Sequence, residues 1–180
     1  MTDWVADVLR FWFEEIAPKQ WFEKDDAFDR TLRERFLTVH ASVAALPIEA
    51  CLTDAETALA AVIVCDQFPR NMFRATPGAF ATDGKALALA EGALALGFDA
   101  RVPETRRQFF YLPFEHAEDA EAQARSVALF APLGEECLRW AQAHKAIIDR
   151  FGRFPHRNAI LGRASTPEEI EFLGQPGSSF

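Results

Sequence analysis

Two short segments of this sequence share a Phe-Pro step followed by an Arg-Asn pair. Asp66-Gln67-Phe68-Pro69-Arg70-Asn71 in the first half is echoed by Arg153-Phe154-Pro155-His156-Arg157-Asn158 near the end. A third segment, Tyr111-Leu112-Pro113-Phe114-Glu115-His116, has the same aromatic-then-proline shape, with acid and imidazole where the others carry Arg-Asn. A guanidinium group presents five donors in a fixed fork, which suits a carboxylate or phosphate. If the two Phe-Pro turns meet on one side of a helical bundle, Arg70, Asn71, Arg74, Arg153, Arg157 and Asn158 form a pocket for a small anion. In that reading Arg70 and Arg157 clamp the anion, and Asn71 and Asn158 orient it. Phe68, Phe110 and Phe154 supply an apolar wall, and Glu115, His116 and Glu118 border it.

The same residues support other chemistry. His116 or His156 is a candidate general acid/base, with Asp66 or Glu118 to orient it and arginines to stabilise developing negative charge. In the plainest alternative each Arg-Asn pair only finishes a helix C-terminus, where freed carbonyls accept from arginine. His144 falls on the stripe Trp140, His144, Ile147, Phe151 and reads as a satisfied core histidine, whereas His40 is expected to be exposed. His116-Ala117-Glu118-Asp119 is a weak metal-ligand run. Glu-x-x-His, His-Glu-x-x-His, P-loop and G-x-G-x-x-G motifs are all absent, so neither a metal nor a cofactor is expected. A third function class is a protein–protein interaction module, with Trp21-Phe22, in the break behind Pro18, as its aromatic anchor.

Charge narrows the partner. The 180 residues carry a net charge of -8, which disfavours broad binding to nucleic acid or an anionic membrane. Yet the stretch from Asp149 to Arg163 holds Arg150, Arg153, Arg157 and Arg163 against one acid. A small, discrete anion, or the acidic or carboxylate end of a peptide, therefore fits better than a polyanion. Cys51, Cys65 and Cys137 form neither a C-x-x-C motif nor an even disulfide set, and each reads as a core thiol. With no basic leader and no apolar run of membrane-spanning length, a cytoplasmic location is expected.

The elements that must position these groups read as helices. Trp4/Val5, Val8, Phe11/Trp12 and Ile16 recur at three- and four-residue steps behind a Thr2-Asp3 cap. Phe28, Leu32, Phe36, Val39, Val43 and Leu46 repeat the pattern up to Pro47. Thr53-Asp54-Ala55-Glu56 predicts a capping box, and Phe68-Pro69 an end or kink. Ala86 to Leu96, Thr105 to Tyr111, Glu121 to Phe130 and Glu135 to Phe151 give further helices, and Thr166-Pro167-Glu168-Glu169 opens the last. Alternating strand patterns are absent. The expected architecture is all-α: one domain over residues 1–173, of about seven to eight helices in antiparallel pairs, with a flexible tail at 174–180.

The three Phe-Pro or Leu-Pro segments occur in a fixed order. They are joined by the opening Val8-Leu9-Arg10-Phe11-Trp12-Phe13 and the closing Leu161-Gly162-Arg163-Ala164-Ser165-Thr166-Pro167-Glu168-Glu169. Together these motifs resemble the bacterial domain-of-unknown-function family numbered 924, over nearly the whole chain. The resemblance implies an irregular tetratricopeptide-like fold, which would explain why no regular repeat period is visible. It implies no catalytic assignment.

Overall fold

A computed structural model describes residues 3–179. Among these residues there are eight α-helices, several 3-10 turns and no strand, as the periodicity predicts. The chain divides into two compact units. One comprises the residues up to Arg74 together with Gly78–Pro113, the other Ala75–Pro77 and the residues from Phe114 onward.

The first unit is built around one helix. Helix α1 (Trp4–Arg10) starts at Asp3, whose carboxylate accepts from the N–H groups of Val5 and Ala6; Thr2 lies outside the described residues. It runs into a π-helical turn, Phe11–Glu15, and Ile16 is already extended. There Trp21 donates its indole N–H to the Trp12 carbonyl at 2.8 Å. A donor brought in from outside the helix in this way is a recognised cause of local departure from α geometry. Trp21 is thus tied into a ring cluster with Trp12, Phe13 and Phe109, and of the expected anchor pair only Phe22 is well exposed, at 65%.

Helix α2 (Asp26–Ala45), capped by Asp25, buries Phe28, Leu32, Phe36 and Val43 along one face. It packs on α3 (Ala55–Met72), which is buried almost throughout from Ala58 to Pro69. The cap of α3 is Asp54, accepting from Thr57, rather than the Thr53 of the expected box; Thr53 instead donates to Asp54. Helix α4 (Asp83–Ala95) packs on α3 through small side chains. Gly92 lies so close to Leu52 that a Cβ would meet its Cδ1 at 2.5 Å. Lys85 on α4 donates to the last carbonyls of α2, at 2.7 Å for Val43 and 3.0 Å for Ala44, closing that helix end.

Helix α5 (Glu104–His116) contains Pro113, and α3 contains Pro69. Neither proline ends its helix, which corrects the sequence expectation. Proline removes the N–H that would bond the carbonyl four residues earlier, so Pro69 strands the Cys65 carbonyl. The Thr82 hydroxyl supplies that donor at 2.6 Å, so the helix runs on to Met72.

The second unit pairs α6 (Ala120–Phe130) with α7 (Glu135–Phe151) across a short connection through Gly134. Gly152, left-handed at φ 69°, ends α7, and its N–H bonds the Ile148 carbonyl. Phe154-Pro155 therefore lies beyond the helix end and opens a 3-10 turn, Pro155–Arg157. The two echoed segments thus differ locally: one is the last turn of a helix, the other a separate turn. Phe154 joins Ile147 and Ile148 in the core, with Phe151 and Phe172 against them. Helix α8 (Pro167–Leu173) has the predicted capping box between Thr166 and Glu169. In the tail, Ser178 is buried and donates to the Leu173 carbonyl at 3.1 Å.

Candidate functional site

In the first unit the candidate residues finish helix α3. Arg70 meets Asp83 through two hydrogen bonds, at 2.9 and 3.2 Å, and its Nη1 also donates to the Asp66 carbonyl at 2.6 Å. The buried Asp66 carboxylate stands 3.5 Å from Arg70 and accepts from Gln67. Burial works against the Arg70 charge, but Asp66 and Asp83 outweigh it and hold its pKa above the ordinary value. Arg74 grips Asp29 at 2.6 and 2.8 Å and donates to the Asn71 oxygen, while Asn71 donates to the Gln67 carbonyl. Such bidentate pairs fix geometry tightly.

The second unit compensates most of its local positive stretch the same way. Arg153 makes a fork with Glu169 at 2.7 and 2.8 Å, and Glu169 also accepts from the Thr166 N–H and from Asn158. The hydrogen bond from Arg153, opposed by burial and aided by Thr166, takes Glu169 down to about 2. Arg163 forks onto Glu118 at 2.6 and 2.9 Å and donates to the Asn158 oxygen, and Arg150 reaches Glu168. Glu118 also accepts from the Phe154 N–H at 2.7 Å. Burial raises its pKa, but Arg163, that N–H and Arg157 bring it below the ordinary value. Asn158 is fully buried at the centre of this network, donating to Ser165 and Glu169.

The remaining groups converge on His144. Its ring lies 6.3 Å from that of His116 and 5.7 Å from that of Phe154, and Phe154 lies 5.7 Å from His156. Arg157 stacks over Phe154 at 4.6 Å and donates to the His116 carbonyl at 3.0 Å. His144 Nδ1 is 2.9 Å from the Trp140 carbonyl and 3.4 Å from the Glu115 carboxylate. Both neighbours are acceptors, so Nδ1 carries the proton and Nε2 is the basic nitrogen. Burial, followed by His116, Arg157 and His156, pushes His144 down to about 3, so the ring is neutral at physiological pH. Cys137 is near enough that Glu115 contributes, after burial and Glu136, to raising its thiol pKa. Among the described residues no group of three or more His, Cys, Asp or Glu is placed to hold a metal ion.

The sequence named His116, His156 and Arg157 but gave the orienting role to Asp66 or Glu118. Glu115 stands beside an imidazole here, that of His144. His144 is buried as the stripe predicts; its pairing with a residue of a different helix has no signature in spacing. The only sequence signal was the Glu115-His116 pair itself. His40, expected to be exposed, is half-buried against Phe73, and burial lowers its pKa.

Fold and site therefore define an all-helical protein whose second unit gathers three imidazoles, a guanidinium and a buried carboxylate. The chain belongs to the family described as "Bacterial protein of unknown function (DUF924)", whose model matches residues 8–177. It is similar to a solved structure, the protein of unknown function ATU0120 from Agrobacterium tumefaciens. The two are 47% identical, the match covers 94% of this chain and 96% of that one, and the TM-score is 0.89. No curated protein matches the chain. Among the described residues no helix is long and apolar enough to cross a membrane.

Proposed function

We propose that the second unit binds a small anionic metabolite through Arg157, His116 and His156, grouped around the buried His144. The observation that carries this reading is the convergence itself: three of the chain's 4 histidines and Arg157 meet within one ring-lined cluster. Donors of this kind, fixed beside aromatic faces, suit a carboxylate or phosphate. Arg70, Asn71 and Arg74, by contrast, spend their hydrogen bonds on the end of α3, and Arg153 and Asn158 hold α8; we assign them to structure. The helical hairpins agree with a tetratricopeptide-like scaffold. Three free cysteines, two of them buried, suit a reducing cytoplasm.

Isothermal titration with glutarate and with inorganic phosphate tests this. Saturable binding is expected for at least one of them. It should weaken by on the order of tenfold or more in Arg157→Gln, because a charged hydrogen bond is lost. Arg70→Lys should leave it unchanged. Absence of binding by both anions, or equal affinity of Arg157→Gln and wild type, contradicts the reading.

A further inference from the structure

We propose that the first unit carries a docking surface for a short acidic segment of another protein, with Phe22 as its apolar anchor and Arg106 as its charged one. Its residues are distinct from those of the anion site in the second unit. The surface is built on the turn that follows α1. Pro18–Trp21 is a 3-10 turn, and the Gln20 carboxamide oxygen accepts from the Ala17 N–H at 2.9 Å. The Trp21 indole N–H is held by the Trp12 carbonyl at 2.8 Å. The turn is therefore fixed at its start and at its end. Phe22, next in the chain, is 65% exposed on that rigid support. Single exposed apolar side chains are common on folded proteins, but Phe22 does not stand alone. Its ring meets Trp21 edge-on at 6.3 Å, and Trp21 meets Phe13 at 6.0 Å. Trp21 and Phe13 are themselves only half-buried, so the rings form one connected aromatic surface. Rings already fixed in place lose little entropy on binding, which suits them as anchors.

Charge decides what covers this surface. Arg106 on α5 lies against it, its guanidinium 4.4 Å from the centre of the Phe13 ring. Among the described residues Arg106 makes no hydrogen bond and no ion pair. That sets it apart from Arg70, Arg74, Arg153 and Arg163, each of which is spent on a carboxylate. Stacking on a ring leaves the N–H edge of a guanidinium open to a carboxylate. Lys19 lies three residues before Phe22, whose N–H bonds the Lys19 carbonyl, and residues at that spacing eclipse in 3-10 geometry. Along the patch and its flanks Lys19, Lys24 and Arg106 outnumber Glu14 and Glu23, on a chain whose net charge is -8. A complementary partner brings a bulky apolar side chain for Phe22 and Trp21 and a carboxylate for Arg106. An acidic polypeptide segment supplies both, whereas the overall charge repels a nucleic acid.

Selection from a random-peptide display library against the whole protein tests this. The enriched peptides are expected to place an aromatic residue or leucine beside Asp or Glu. Measured as free peptides by fluorescence anisotropy, they should bind Phe22→Ser weaker by on the order of tenfold or more, the scale of a lost anchor. With the acid replaced by its amide, a peptide should bind wild type several-fold more weakly, and Arg106→Gln should bind both forms equally. A selection that enriches no acidic sequence overturns the proposal. So do peptides that bind Phe22→Ser as tightly as wild type, or that keep their full acid preference in Arg106→Gln. Sedimentation velocity covers the other occupant: a wild-type dimer that Phe22→Ser dissociates would give this face to a second copy of the chain and overturn the peptide assignment.

Discussion

The fold constrains the protonation of His144 and of Glu169, and each leaves a distinct mark on stability. An unfolded His144 takes up a proton near its ordinary 6.5, whereas the folded one resists until about 3. Its contribution is therefore complete above pH 6.5 and is lost progressively as pH falls through that window. Glu169 has the same sign over a lower range: complete above its ordinary 4.5 and lost as pH falls toward about 2. Between pH 6.5 and 4.5 the slope of Tm against pH should thus be shallower in His144→Gln than in wild type, with Glu169→Gln matching wild type there. Below pH 4.5 Glu169→Gln should become shallower than wild type as well. Thermal melts across this range check both; identical slopes for His144→Gln and wild type between pH 6.5 and 4.5 would show that His144 ionises freely. At this scale the sequence supplied residue types but not partners. Arg153 finds Glu169 and Arg163 finds Glu118 across 16 and 45 residues, pairings that no local spacing encodes.

At the scale of elements, apolar periodicity located the helices closely, because a buried stripe such as Phe28, Leu32 and Phe36 has one period whatever it packs against. The prolines misled for a physical reason. Whether Pro69 ends α3 depends on a donor for the Cys65 carbonyl, and that donor, Thr82, is 17 residues away in sequence. Thr82→Val should therefore destabilise the protein by about 1–3 kcal/mol, the cost of a buried carbonyl left unsatisfied. In a Pro69→Ala background the restored N–H serves Cys65, so the same substitution should cost markedly less. Chemical denaturation of the four proteins of this double-mutant cycle gives the coupling, and additive effects would refute the role assigned to Thr82. Gly152 makes a simpler case. A Cβ there meets nothing within 4 Å, but φ is 69°. Gly152→Ala should thus cost about 1–2 kcal/mol from backbone strain alone.

Over the whole molecule, the net charge of -8 and the locally basic stretch take on a clear meaning. Arg150, Arg153 and Arg163 are each neutralised by a glutamate, so the stretch is not an open basic patch. A sequence window counts charge along the chain, whereas the fold balances it in space. What the second unit offers instead is a small cluster in which Arg157 and the imidazoles of His116, His144 and His156 gather around Phe154. The belonging of the chain to a family of unknown function leaves the proposed ligand to be found by chemistry. The histidines give the most direct readout, because three lie in the cluster and His40 lies in the first unit. Imidazole nitrogen NMR during a titration with glutarate should move the His116, His144 and His156 resonances together in a saturable way, with His40 unmoved. Saturation that leaves the three second-unit imidazoles unshifted, or that shifts His40 alone, would contradict a binding site in the second unit.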